Sequence, residues 1–181
     1  MLIVLMGKTC SGKDSICKEL VKRGFHKITT HTTRPKRNGE VDGYTYHFIS
    51  DEEFQKKIDE DFFLEYKSYT VADGSIWYYG SPRQEMYNDE DSVIILTPDG
   101  YDDFLKYNIP HKSIYIYANI NTIKNRLIKR GDDKSEAQRR IEHDNEDFKD
   151  LQEKVDYIVY NNDGYNIDEV VKDVLDRIKR I

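Results

Sequence analysis

The sequence predicts an α/β fold in which five short strands form a parallel sheet covered by helices on both faces, interrupted by a small inserted sheet. Three observations carry this. Short apolar runs recur along the chain, MLIVLM at 1–6, SVIIL at 92–96, SIYIYA at 113–118 and DYIVY at 156–160, and such runs suit strands buried on both faces. Helical patterns separate them. The stretch 44–80 breaks that rhythm and reads as hairpin strands.

Residues 1–6 are the first strand. A glycine-bearing loop follows, then a helix near 13–23 with Ile16, Leu20 and Val21 on one face and Gly24 as its stop. Phe25 to Thr29 reads as the second strand. In the insert, YTYHFIS alternates like a strand, and Ser50-Asp51-Glu52-Glu53 is a capping box for a short helix. FFLEYKSY, an Asp73-Gly74 turn and IWYY then form a tyrosine-rich hairpin. After the third and fourth core strands, residues 131–136 (GDDKSE) are turn-like and lead into a charged helical arm to about 150. The last helix has the clearest apolar stripe, Ile167, Val170, Val171, Val174, Leu175 and Ile178.

A length of 181 residues supports one domain with a real core. With 38% hydrophobic and 34% charged residues the class is globular. The net charge of −6 argues against a nucleic-acid polymer as partner, while Arg34, Lys36 and Arg37 cluster as if for a small anion. Cys10 and Cys17 make no disulfide framework, so a reduced, cytoplasmic setting is expected. The apolar start is too short for a signal peptide, and no run approaches the roughly 18 residues that span a bilayer. The five histidines are scattered and none is assigned a role.

Gly7-Lys8-Thr9-Cys10-Ser11-Gly12-Lys13 matches the G-x-x-x-x-G-K phosphate-binding loop, placed between the first strand and the first helix. Its glycines let backbone N–H groups turn toward phosphate oxygens, and the helix N-terminus and Lys13 add positive charge. Asp14, not Ser or Thr, follows the lysine, with Ser15 next. Two readings of Asp14 stand: a carboxylate ligand for Mg²⁺ or its waters, or simply a favourable charge at the helix start. Cys10 reads as a small filler.

Further on, Arg34 and Arg37 lie three apart on a proline-containing loop, and their forks suit phosphate oxygens. On charge alone the same segment reads first as a solvated basic loop before a hairpin. The run Thr32-Thr33-Arg34-Pro35-Lys36-Arg37-Asn38-Gly39-Glu40, followed by Tyr46-His47-Phe48, fills every position of the T-T-R-x-x-R-x-G-E and Y-x-F segment of the guanylate kinase family, which the sequence resembles. The resemblance continues through Phe63-Leu64-Glu65-Tyr66, Tyr78-Tyr79-Gly80-Ser81, Arg126, Arg130-Gly131, Arg140 and Asn161.

That resemblance implies a P-loop kinase fold with a five-stranded parallel core (about 1–30, 82–130 and 155–181), a mixed-sheet NMP-binding insert (about 31–81) and a helical lid (about 131–154). It implies phosphoryl transfer from ATP, with Mg²⁺, to a nucleoside monophosphate, GMP or dGMP foremost. Arg34, Arg37, Tyr46 and Tyr79 would hold the acceptor phosphate, with Glu40 either orienting the arginines or pairing with them at the surface. Thr30, Glu65 and Ser81 would face the base. A carboxylate at Glu65 suits guanine's donor edge, which adenine lacks. Gly7, Thr9, Cys10, Ser11, Gly12, Lys13, Asp14, Ser15 and Arg130 would bind ATP, Asn161 would contact adenine, and Lys13, Arg34, Arg126 and Arg140 would serve the transfer. Two positions depart from the family pattern: Thr97 stands where a base-reading aspartate is expected, and Thr30 replaces a serine. The resemblance also extends to ribose bisphosphate phosphokinases through Gly12-Lys13-Asp14-Ser15 and Asn161-Asn162-Asp163-Gly164, and to non-catalytic guanylate-kinase-like binding modules. The complete acceptor segment weighs against the first, and Lys13 with the lid arginines against the second. A monomer or homodimer without a membrane partner is expected.

Overall fold

The structure, a computed structural model, describes residues 1–71 and 74–179. β1 (Leu2–Met6) runs through the glycine loop into α1 (Lys13–Lys22), followed by β2 (His26–Lys27) and β3 (His31–Thr32). Then come β4 (His47–Phe48), α2 (Asp51–Asp59), β5 (Phe63–Thr70) and β6 (Ile76–Pro82). A 3₁₀ turn leads to β7 (Ser92–Ile95), α3 (Pro98–Phe104), β8 (His111–Tyr117) and α4 (Ile120–Arg130). The chain ends through α5 (Lys134–Asp147), α6 (Leu151–Lys154), β9 (Tyr157–Tyr160) and α7 (Ile167–Ile178).

The core sheet has five strands in the order β2-β7-β1-β8-β9, each neighbouring pair parallel, as the sequence predicts. Alternate residues of the central strand explain its unbroken hydrophobicity. Leu2, Val4 and Met6 pack on one face with Ile94, Tyr101 and Phe104, while Ile3 and Leu5 pack on the other with Ile16, Leu20 and Val171. α1 and α7 cover the second face, and α7 does so with the predicted stripe of Val170, Val171, Val174 and Ile178.

The insert is a second sheet in the order β4-β3-β6-β5, with β3 and β4 parallel and the other pairs antiparallel. Ser50 caps α2 by accepting the Glu53 N–H at 3.1 Å. Two expected strands are shorter than read. The second core strand keeps only His26–Lys27 of residues 25–29, and YTYHFIS keeps only His47–Phe48. Past each short strand a single bond continues the contact, from the Ile28 N–H to the Val93 carbonyl and from the Ile49 N–H to the Thr32 carbonyl, without extending the ladder. Asp73 of the expected hairpin turn lies outside the described residues; Gly74 sits at φ 84° with its N–H on the Val71 carbonyl.

The polar segment after α4 behaves as its composition implies. Gly131 ends α4 at φ 79°, and the Asp133 carboxylate caps α5 on the N–H groups of Ser135 and Glu136. A small cluster of Ala118, Ile123, Leu127 and Ile141 packs α5 on α4, with Cys10 against it. The far end of α5 is tied to the core by Phe148, whose ring stacks on Tyr115 at 5.7 Å, and by buried Leu151. Among the described residues no helix is long and apolar enough to cross a membrane.

Candidate active site

The loop at residues 7–13 is held from beneath. Gly12 adopts φ 94°, and a Cβ there would fall 2.2 Å from the Asn161 side-chain nitrogen. That nitrogen donates to the Ser11 carbonyl at 2.8 Å. Arg126 Nη1 donates to the carbonyls of Cys10 (3.1 Å) and Ser11 (3.3 Å), and its Nε lies 3.4 Å from Asp163. With carbonyls gathered on these donors, the loop is free to turn amides the other way. Gly12→Ala is expected to lower stability by about 1–3 kcal/mol, read by urea unfolding, because it adds both a left-handed strain and a collision.

Four of the expected site residues lie beneath the loop or outside the cavities of the cleft. Asn161 is buried at the loop's underside, so its amide positions the loop instead of standing free for a base. Arg126 spends its guanidinium on the same task. The Ser11 hydroxyl is wholly buried with no hydrogen-bond partner among the described residues, and a Cβ at Gly7 would collide with it, so the side chain points under the loop. Ser15 is exposed and lines neither cavity of the cleft.

Two adjoining cavities, about 400 and 550 Å³, open above the loop and share Thr9, Lys13, Thr30, Arg37, Tyr46, Tyr79 and Ile95. Their size is that of a small-molecule site. In the first, Lys13, Asp14 and Cys10 face Arg34, Arg37 and Glu40, with Arg130 at the edge. The amide loop and the guanidinium pair thus converge on one space.

Arg34 is 3% exposed and gripped by Glu40 through a two-pronged contact of 2.7 and 3.1 Å. Glu40 also accepts the Arg37 N–H at 2.7 Å. Burial opposes the Glu40 charge, but these donors outweigh it and hold the carboxyl below its usual range. Glu40 thus bridges the Arg34 side chain and the Arg37 backbone within the basic loop. The Arg37 guanidinium has no side-chain hydrogen bond or ion pair among the described residues. Burial first, then nearby Arg34 and Arg140, depress its proton affinity. A guanidinium crowded by like charges and left without an ion pair of its own makes a site for an anion. Tyr46 and Tyr79 stand beside this pair, rings edge to face at 5.9 Å, and burial raises the Tyr46 hydroxyl pKa so that it stays a donor.

The second cavity adds Glu65, Ser81 and Thr97. Glu65 lies on β5 beside a register shift between Phe63 and Glu65, which turns it inward. Its Oε1 accepts the Ser81 hydroxyl hydrogen. Its Oε2 comes close to Gly100, where a Cβ would lie 3.2 Å from it. Burial, against the Ser81 bond and Lys67 and with Asp103, raises the Glu65 pKa to about 7. Thr97 caps α3 by accepting the Gly100 N–H at 3.2 Å, and its hydroxyl lies 3.4 Å from that of Tyr69. Ile95, aligned ahead of Thr97, lines both cavities as an apolar wall.

The arm lies against this site. Arg140 lines the second cavity, paired to Glu136 at 2.7 Å and Asp132 at 3.4 Å, and Arg130 is paired to Asp132. The sequence reading missed two further arm contacts: Asp144 accepts the Thr9 N–H, and Lys8 donates to Asn145 at 2.6 Å. It also missed Asp147 and His143, both in the second cavity. A signal for the carboxylates exists, since 140, 144 and 147 share one helix face by spacing.

Comparison with known proteins bears on the chain as a whole. The family model described as guanylate kinase matches residues 1–180. A guanylate kinase of Clostridium tetani is 32% identical over 188 aligned residues, covering 100% of this chain and 84% of that protein. One from Clostridium perfringens strain 13 is 33% identical over 189, covering 100% and 80%. Among solved structures, guanylate kinase from Anaplasma phagocytophilum superposes with a TM-score of 0.69 at 20% identity, over 99% of this chain and 87% of that one. Shikimate kinase from Bacteroides thetaiotaomicron reaches 0.56 at 18% identity, over 99% and 98%. At those identities the two structures speak for the fold alone.

Proposed function

Because this chain belongs to the guanylate kinase family, we propose that its two facing cradles transfer the γ-phosphoryl group of ATP directly to GMP, giving ADP and GDP. The observation that carries this reading is the single cavity lined by Lys13 and the loop on one side and by Arg34 and Arg37 on the other. We assign the acceptor phosphate to Arg34, Arg37, Tyr46 and Tyr79, and the base to Thr30, Glu65, Ser81 and Thr97. The ATP phosphates fall to the amides of the loop, to Lys13 and to Arg130. The core, insert and lid divide at the boundaries read from the sequence.

Phosphoryl transfer asks little covalent chemistry of a protein. It asks for in-line placement, positive charge around the moving group, and exclusion of water. The acceptor phosphate, fixed by the arginines, presents an oxygen toward the γ-phosphorus. Lys13 and Arg140 meet the charge that spreads over the transferred oxygens. Arg126 and Asn161 act one step removed, as positioning residues that keep loop carbonyls turned away from the phosphates. The arm shields the cleft.

Mg²⁺ fits this site as a hydrated ion carried in on ATP. Among the described residues no group of three or more His, Cys, Asp or Glu side chains is placed to hold a metal, and Mg²⁺ commonly keeps its waters while sharing one or two carboxylates with substrate phosphates. Asp14, 75% exposed at the cavity with its Oδ2 3.8 Å from Lys13 Nζ, is the carboxylate that would meet those waters. When bound, the ion draws charge from the phosphate oxygens.

A coupled ADP-release assay across GMP, dGMP, AMP, UMP and ribose 1,5-bisphosphate tests the proposal. Turnover confined to the guanine nucleotides is expected; turnover of the sugar phosphate, or of none, would refute it. A second expectation concerns the arm. Asp144 occupies a loop amide that ATP phosphates would use, so Asp144→Ala should tighten ATP binding by about tenfold in calorimetry. Unchanged or weakened binding would remove Thr9 from the phosphate cradle.

A further inference from the structure

We infer that Asp147, at the end of the arm helix α5, accepts a hydrogen bond from the 2-amino group of the guanine base and so sets the discrimination between guanine and hypoxanthine nucleotides. The inference rests on the GMP reading and names a further specificity-determining residue of that pocket.

Guanine presents N1–H and both hydrogens of its 2-amino group along one edge. The two oxygens of Glu65 match N1–H and the nearer amine hydrogen, which leaves the farther one without an acceptor. A buried N–H without a partner costs affinity, so the pocket needs another oxygen. The side chains around Glu65 are already committed. Ser81 donates its hydroxyl hydrogen to Glu65. Thr97 accepts from Gly100 and meets Tyr69. Lys67 is a donor, paired with Asp103 at 2.7 Å. Asp144, on the same cavity, is engaged by the Thr9 N–H.

Asp147 remains. It lines the cavity that holds Glu65 and Thr97. One of its oxygens, Oδ2, meets His143 Nδ1 at 2.8 Å, and no hydrogen bond or ion pair engages Oδ1 among the described residues. Asp147 and Glu65 both act electrostatically on the Tyr69 hydroxyl, which is in contact with Thr97. Burial, opposed by His143 and aided by Asp99 and Asp144, raises the Asp147 pKa, as fits a carboxylate short of donors. Its position is also firm. Asp147 is the last residue of α5, and the next residue, Phe148, is buried on Tyr115. The base reader therefore sits at the anchored end of the arm.

The test compares kcat/KM for GMP, dGMP and IMP, which lacks the 2-amino group, in the intact chain and in Asp147→Ala and Asp147→Asn, with thermal melting as the check on folding. Loss of a hydrogen bond to a charged acceptor predicts that the GMP-to-IMP preference falls about 10- to 100-fold in Asp147→Ala, and less in Asp147→Asn, whose carbonyl still accepts. dGMP should follow GMP. An unchanged GMP-to-IMP ratio overturns the inference while leaving the kinase reading intact. So does a loss shared by GMP and IMP but spared by dGMP, which would assign Asp147 to the ribose 2′-hydroxyl. A native chain that turns over none of the three overturns the kinase reading itself, and the inference with it.

Discussion

Lys13→Ala is expected to lower turnover by about 10³-fold or more while the protein remains folded. Lys13 opens α1 immediately after the left-handed Gly12, and its amine reaches both cavities of the cleft. It is the full charge at the point where the two cradles meet. Its only ion pair among the described residues is with Asp14 at 3.8 Å, and Asp14 is 75% exposed. Removing the amine therefore strands no buried carboxylate, and a stability change within about 1 kcal/mol is expected. Steady-state kinetics with ATP and GMP, alongside a urea melt, separate the two effects. Turnover within tenfold of the native chain would mean that the positive charge at the transferred group comes from elsewhere.

Glu65→Gln is the second large effect. The side chain is 9% exposed, one oxygen fixed by Ser81 and the other against Gly100, so the isosteric amide enters the same space. An amide that turns its NH₂ toward guanine's donor edge sets donor against donor. The preference for GMP over AMP should fall by about 10²-fold or more. The pH profile gives an independent check. With its pKa raised to about 7, Glu65 is half protonated near neutrality in the free protein, and only the ionised form accepts from guanine. kcat/KM for GMP should rise through about pH 7, and that limb should vanish in Glu65→Gln. The sign for stability is opposite. A carboxyl that ionises at 4.5 when unfolded and near 7 when folded favours the fold below pH 4.5, and that contribution is lost as pH rises through 7. Glu65→Gln lacks this decline, so its stability relative to the native chain should be greatest above pH 7. A GMP-to-AMP preference unmoved by the substitution would place the base elsewhere.

Some features of the site were legible locally. Lys13 sits in a loop whose glycine spacing permits little else, and Arg34, Arg37 and Glu40 lie within one short segment, so their meeting was settled by a few bonds. The capping of α2 by Ser50 is likewise a matter of adjacent residues. Other roles were not local. Asn161 and Arg126 lie 150 and 115 residues beyond Ser11, and only strand order brings them under its carbonyl. The arm shows the same division: its helical character and its arginines could be read, but that Asp144 would rest on a loop amide and Asp147 line the same cavity as Glu65 could not.

By itself the sequence determined the parallel α/β class, the five core strands, the phosphate loop and the basic acceptor segment, because periodicity, glycine placement and short-range charge act over a few residues. The tertiary structure alone decided the order β2-β7-β1-β8-β9, the truncation of β2 and β4, and which polar side chains hold the loop from below and which stand open in the cleft. The reason is physical: a polar side chain has one set of hydrogen bonds to make, and where it makes them depends on groups that only the folded sheet brings within 3 Å or so.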